Sequence, residues 1–297
     1  MIFAETFKLN NGVNIPKLGL GTWLIPDDKA SEAVVNALNI GYRHIDTAQA
    51  YQNERGVGEG LRQSGIARED IFLTTKLAAE SKSYEDAKNR IDKSLQKLGL
   101  DYIDLMIIHS PQPWTEFREG QHFFEGNLEA WRALEEAYKA GKLRAIGVSN
   151  FEQVDLDNIL NNCTVKPMVN QILAHISNTP FDLIEYTKSK DILVEAYSPI
   201  AHGAILQNEK IKAIAQKYHA TVAQLSIRYC LQLGMVALPK TANPDHMREN
   251  AQVEFTISAE DMQTLQNIEH IKDYGKDSFF PVYGGKLHAD GTFSVKK

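Results

Sequence analysis

The 297-residue sequence predicts an α/β protein folded as one (β/α)8 TIM barrel, with an N-terminal β-hairpin and long loops. Three observations predict it. Short strand-like apolar runs alternate with stretches of helical period, and the runs number eight. Helical stretches of this length between short strands imply parallel strands joined by right-handed crossovers, and eight parallel strands close on themselves. No Pro-, Gly- or Ser-rich stretch reads as a linker, so one barrel is expected over residues 1–297, although about 150 residues per domain would allow two.

Residues 1–17 read as the hairpin. TFKL and VNIP flank Asn10-Asn11-Gly12, and Asn-Gly suits the positive φ angles of a tight hairpin turn. Strands are expected at residues 18–21, 42–46, 71–75, 104–108, 145–148, 168–171, 192–196 and 236–238. The helix at 28–40 repeats Ala30, Ala33, Val34, Ala37 and Leu38 at spacings of three and four and stops at Gly41. The helix at 83–98 carries Ile91, Leu95 and Leu98 on one face, ends at Gly99, and pairs Ser83 with Asp86 as an expected capping box. The helix at 128–140 aligns Leu128, Trp131, Leu134 and Tyr138 before Gly141. Segments 110–127 and 272–297 lack periodicity, and long loops in a compact domain are usually functional. The closing LHADGTFSVKK is polar and expected to be mobile.

Composition narrows the function classes. A chain that is 43% hydrophobic and 24% charged has the make-up of a soluble globular protein. Its longest apolar runs, such as 105–108, fall far short of the roughly 18 residues that span a membrane. The start lacks a basic stretch followed by a long apolar one, so no signal peptide and a cytoplasmic location are expected. A net charge of −6 argues against nucleic-acid and anionic-membrane partners. Cys163 and Cys230 are too few for a disulfide framework and are expected as reduced thiols.

In a βα barrel, chemistry gathers at the carboxyl ends of the strands. The second strand ends in Asp46, with Tyr51 just beyond; Lys76 follows the third, and His109 follows the fourth. Taken singly, each has a bland reading as a loop-anchoring ion pair or packing residue. Four on one rim make a proton-transfer group. A free phenol, with a pKa of about 10, is a poor acid at neutral pH. A neighbouring ammonium is expected to lower it. A carboxylate would hold that ammonium in place, and a neutral His would orient a carbonyl and relay a proton.

A Rossmann fingerprint is missing. Gly19-Leu20-Gly21 is followed by Leu24 where a third glycine belongs, and Gly56-Val57-Gly58 by Leu61. Any nicotinamide cofactor must therefore be held by another device.

The motifs then fall into a known order. GYRHIDTAQAYQNE at 41–54 closely resembles the signature of the aldo-keto reductase superfamily. LGLGTW at 18–23, IDLMIIHSP, GVSNF at 147–151, VNQ at 169–171, AYSPI at 196–200 and LPKT with Arg248-Glu249-Asn250 also match, over nearly the whole chain. The resemblance implies a (β/α)8 barrel with NADPH extended across its C-terminal face. It implies reduction of aldehydes and ketones by hydride transfer, with Tyr51 as general acid, Lys76 and Asp46 as its activating pair, and His109 orienting the substrate. Ser149, Asn150 and Gln171 correspond to groups that bond the nicotinamide carboxamide, and Tyr197 to the ring stacked on it. Thr22 and Trp23 would line cofactor and substrate, and Ser198 and Ile200 fall in the matching cofactor segment. Lys240, Thr241, Glu249 and Asn250 match the adenosine end. The substrate pocket would comprise Trp23, Tyr51, His109, Ser110 and Trp114.

Two positions depart from the family pattern. His246 stands where Arg is usual, and an imidazole is smaller and mostly neutral. Weakened NADPH preference with NADH tolerated is therefore expected, unless Arg248 compensates. Ser110 stands where many relatives carry Trp, so Trp114 in the 110–127 loop is expected to supply the missing wall. A cofactor-binding regulatory subunit with little turnover is the alternative, disfavoured by the intact tetrad. A metal-dependent hydrolase would have only His44-x-Asp46 as a ligand pair, and no metal is expected. A small-molecule carbonyl substrate and a monomer complete the reading.

Overall fold

The computed structural model describes residues 1–295, and Lys296 and Lys297 lie outside the described residues. β1 (Thr6–Lys8) and β2 (Asn14–Pro16) pair antiparallel as the expected hairpin. Eight strands then run in sequence order around one parallel sheet. They are β3 (Leu20–Gly21), β4 (His44–Asp46), β5 (Phe72–Leu77), β6 (Ile103–Ile108), β7 (Leu143–Ser149), β8 (Val169–Leu173), β9 (Leu193–Tyr197) and β10 (Val236–Leu238). Parallel bridges from Leu18 to Ala237 and from Gly21 to Lys240 bring the two ends of the sheet together. β5 and β6 are buried along their full length, as expected of strands covered on both faces.

Helices fill the crossovers: α1 (Asp27–Ile40), α2 (Glu54–Gln63), α3 (Tyr84–Leu98), α4 (Phe124–Lys139), α5 (Gln153–Asn162) and α6 (Phe181–Ser189). α7 (Glu209–Lys217), α8 (Val222–Gln232), α9 (Pro244–Asn250) and α10 (Ala259–Gln266) follow. The expected face of α1 is buried, and Gly41 caps it with a φ of 130°. Ser83 caps α3 by accepting from the Asp86 amide, and Gly99 adopts the left-handed conformation at its end. Gly56 and Gly58, the partial fingerprint, turn out to serve packing. A Cβ at Gly56 would sit 2.1 Å from the Asp27 carbonyl oxygen, and one at Gly58 2.0 Å from that of Leu98. Only glycine lets α2 lie this close to its neighbours.

Two expectations need correction. The final segment is not wholly loop: β11 (Gly285–Leu287) and β12 (Phe293–Val295) form an antiparallel hairpin. Polar composition hid it, since an exposed hairpin needs little apolar surface. The 110–127 segment is shorter than expected because α4 begins at Phe124, four residues before the first residue of its apolar stripe. Within it, Trp114 and Phe117 are buried, while Phe124 stays exposed and stacks on His122.

Candidate active site

Strand β4 ends in Asp46, and a short turn carries Tyr51 back over the rim. β5 delivers Lys76, and His109 directly follows β6. Thr22, after β3, ties the first loop to β4 by donating from Oγ1 to the Asp46 carbonyl at 2.9 Å. The Lys76 ammonium donates to the Asp46 carboxylate, to the Thr47 carbonyl at 2.9 Å and to the Tyr51 hydroxyl at 3.2 Å. All its protons have acceptors in a place where the side chain is 1% exposed. Burial alone would lower the Lys76 pKa; the charge of Asp46 and the contact with Tyr51 outweigh it, and the net direction is up. The ammonium is therefore charged at neutral pH.

Tyr51 corrects an expectation. Burial pushes its phenol above the ordinary value, and the opposing pull of Lys76 does not reverse this. Sequence reasoning counted the ammonium but not the dry setting. The consequence is a hydroxyl that keeps its proton at neutral pH, beside a cation placed to stabilise the phenolate once the proton leaves. The His109 ring meets that of Tyr51 edge-on, with centroids 5.7 Å apart. Burial, helped by Lys76, holds the His109 pKa well below 6.5, so the imidazole is neutral. Its Nδ1 is buried without a hydrogen-bond partner, which leaves Nε2 as the nitrogen available to a ligand.

Asp46, Tyr51 and His109 line a cleft of about 760 Å³. The cleft runs past Trp23, Ser149, Asn150, Gln171, Tyr197, Ser198 and Ile200 to Lys240, Thr241, His246, Glu249 and Asn250. Its polar groups brace one another. Ser149 donates to the Gln171 carbonyl at 2.8 Å, Asn150 donates to the His109 carbonyl at 3.0 Å, and Tyr197 donates to Asn150 Oδ1 at 2.6 Å. Gln171 donates from Nε2 to Asp46 Oδ2 at 2.8 Å. Lys240 is exposed, and desolvation by its surroundings, aided by the nearby Lys276 charge, lowers its pKa. One cavity is thus lined both by the proton-transfer group and by the cationic side chains Lys240 and Lys276. No group of metal-ligating side chains occurs among the described residues, and His44 instead bonds Thr74 Oγ1 at 2.9 Å inside the barrel.

Trp114 lines the cleft, with its ring 5.1 Å from His109 and 5.0 Å from Phe280. Ser110 does not reach it. Its hydroxyl accepts from the Gln112 amide at 3.3 Å, and its carbonyl takes the Lys82 ammonium at 3.0 Å. The expected contact between Ser110 and substrate is therefore withdrawn: the side chain turns into the loop that carries Trp114. Arg248 is exposed, pairs with Asp245 at 2.9 Å and is not among the side chains that line the cleft.

Sequence reasoning missed two groups. His202 bonds Asp277 at 2.9 Å through Nδ1, and Ser198 and Tyr283 at 3.0 and 2.8 Å through Nε2. This joins the loop after β9 to the C-terminal segment across the cleft. Nothing in either segment's own sequence signals the pairing. The second is Glu195, fully buried on β9, which accepts from Gln171 Nε2 at 2.9 Å. Burial, together with the nearby Asp46 charge, pushes its pKa up to about 8. The polar residue within the apolar strand run ILVEAY was the available signal.

A barrel with an Asp–Lys–Tyr–His rim and an extended cleft defines a class of oxidoreductase, and comparison with known proteins agrees. The profile of the aldo/keto reductase family matches residues 17–270. Glyoxal reductase of Bacillus subtilis is 43% identical over 88% of this chain and 91% of its own. An aldehyde reductase of Saccharomyces cerevisiae is 38% identical over 90% and 92%. The crystal structure of a Bombyx mori aldo-keto reductase in complex with NADP superposes with a TM-score of 0.83 at 31% identity, covering 93% of this chain and 96% of that one. The chain belongs to the aldo/keto reductase family. Among the described residues no helix is long and apolar enough to cross a membrane.

Proposed function

We propose that the protein reduces small aldehydes and ketones, dicarbonyls such as glyoxal included, to alcohols with NADPH. The observation that carries this reading is the hydrogen-bonded chain Asp46–Lys76–Tyr51 beside a neutral His109 in the cleft. Ser149, Asn150, Gln171 and Tyr197 would hold the nicotinamide end, with Thr22, Trp23, Ser198 and Ile200 around it; Lys240, Thr241, His246, Glu249 and Asn250 would hold the adenosine end. When bound, NADPH supplies a hydride to the carbonyl carbon. His109 orients the carbonyl oxygen toward Tyr51. Tyr51 gives that oxygen its proton, Lys76 stabilises the phenolate left behind, and a proton from solvent restores the phenol. Asp46 keeps Lys76 charged and in place. Trp23 and Trp114 wall the substrate end and exclude water.

A histidine at position 246 lacks the bidentate grip of an Arg on the 2′-phosphate, which leaves Lys240 as the cation matched to that end, with Lys276 lining the same cleft. This supports NADPH preference with NADH tolerated. The two free cysteines suit a reducing cytoplasm.

Oxidation of NADPH and NADH across glyoxal, methylglyoxal, aromatic aldehydes and aldoses tests the proposal. Turnover of dicarbonyls and aldehydes with a modest NADPH preference is expected. No turnover of any carbonyl would overturn the reading, and a preference of several thousandfold would overturn the role given to His246.

A further inference from the structure

Gln171 and Glu195 are register partners on β8 and β9, and both are almost wholly shielded from solvent. The Gln171 amide nitrogen lies 2.8 Å from Asp46 Oδ2 and 2.9 Å from Glu195 Oε2. The Asp46 carboxylate, paired with Lys76, can only accept, and that settles which end of the amide is nitrogen. Both N–H groups are then engaged, and the carbonyl oxygen is the end left for the cleft that Gln171 lines. Asp46 alone would hold only one N–H, leaving the broad terminal torsion of the glutamine free to swing.

We propose that Glu195 is a positioning residue that locks the Gln171 amide with its carbonyl oxygen toward the cleft, so that the site selects a nicotinamide whose ring substituent donates a hydrogen bond. This rests on the reading that NADPH binds here and adds what the pocket demands of its carboxamide. Glu195 acts as a neutral acceptor: a second ionised carboxylate beside Asp46 would repel it, and the dry site favours the protonated form. His44 Nε2 lies 3.9 Å from Glu195 Oε1, too far for a hydrogen bond, so Glu195 is not there to hold a histidine. An amide at position 195 offers the same acceptor and should replace it; an apolar side chain should not.

Equilibrium binding, followed by tryptophan fluorescence, tests this with NADPH and with its 3-acetylpyridine analogue, whose methyl ketone accepts but cannot donate. The wild type should bind NADPH about tenfold more tightly, the value of one well-placed hydrogen bond. Glu195→Gln should keep that ratio. Glu195→Val should bring it to within about threefold, because the freed amide can turn its N–H toward the ketone. Thermal unfolding establishes that the variants are folded, and Glu195→Met, closer in volume, replaces Glu195→Val if that variant is not. Equal wild-type affinities for the two cofactors would overturn the proposal. So would an apolar variant that keeps the full ratio, or Glu195→Gln behaving like Glu195→Val. A wild type that binds neither cofactor would overturn the proposed function instead.

Discussion

The Asp46–Lys76 pair lends itself to a double-mutant cycle. The two side chains are 6% and 1% exposed. Removing one partner of such a buried pair costs about 3–5 kcal/mol, because the other charge is stranded in a dry site. Lys76→Met leaves Asp46 with the Gln171 amide at 2.8 Å, so its loss should fall near about 3 kcal/mol, the lower end of that range. Asp46→Asn leaves the ammonium with the Thr47 carbonyl and the Tyr51 hydroxyl, and the lysine should titrate at a lower pH. The double variant strands no charge and should be less destabilised than either single one. The coupling energy should then exceed about 3 kcal/mol in magnitude. For a chain of this size each kcal/mol shifts Tm by about 2 °C, so the single variants should lose at least about 6 °C. Because the folded pKa of Lys76 lies above the ordinary 10.5, its contribution is fully present below pH 10.5 and is lost as the pH rises through the folded value. Urea unfolding at pH 7 is the assay. Additive losses, or single-variant losses below about 1 kcal/mol, would refute this reasoning.

Glu195 has a folded pKa near 8 against an ordinary 4.5. The stability linked to its titration is present below pH 4.5 and declines as the pH rises through 8. Glu195→Gln should therefore gain on the wild type between pH 5 and pH 8 in urea unfolding, and a constant difference would count against a neutral Glu195. Trp114→Ala empties the contact between His109 and Phe280. It should lower kcat/KM for aromatic aldehydes by about tenfold or more and stability by about 3 kcal/mol, as large-to-small core changes do. Unchanged kcat/KM for every aldehyde would remove Trp114 from the substrate wall.

The barrel was legible because its strands are short, apolar and separated by amphipathic helices with glycine stops. Gly41 and Gly99 fall at the expected ends. Strand edges were less so: β5 runs on to Leu77 and β9 to Tyr197, since barrel pairing continues past the apolar run into polar residues that line the rim. The positions of Asp46, Tyr51, Lys76 and His109 followed from strand ends. The net direction of the Tyr51 pKa did not, because it balances burial against a charge, and burial is a tertiary property. Ser110 was placed in the pocket because it stands where many relatives carry a Trp, whereas the loop turns its hydroxyl toward Gln112. The His202–Asp277 contact joins residues 75 positions apart in sequence, through loops that carry no periodic signal.

The central claim is that Tyr51 is the proton donor. A single substitution, Tyr51→Phe, keeps the ring and removes only the hydroxyl. Measured with NADPH and a reducible aldehyde, kcat should fall at least about a hundredfold, the usual scale for losing a general acid, with cofactor affinity unchanged. A variant that retains wild-type kcat would contradict the account.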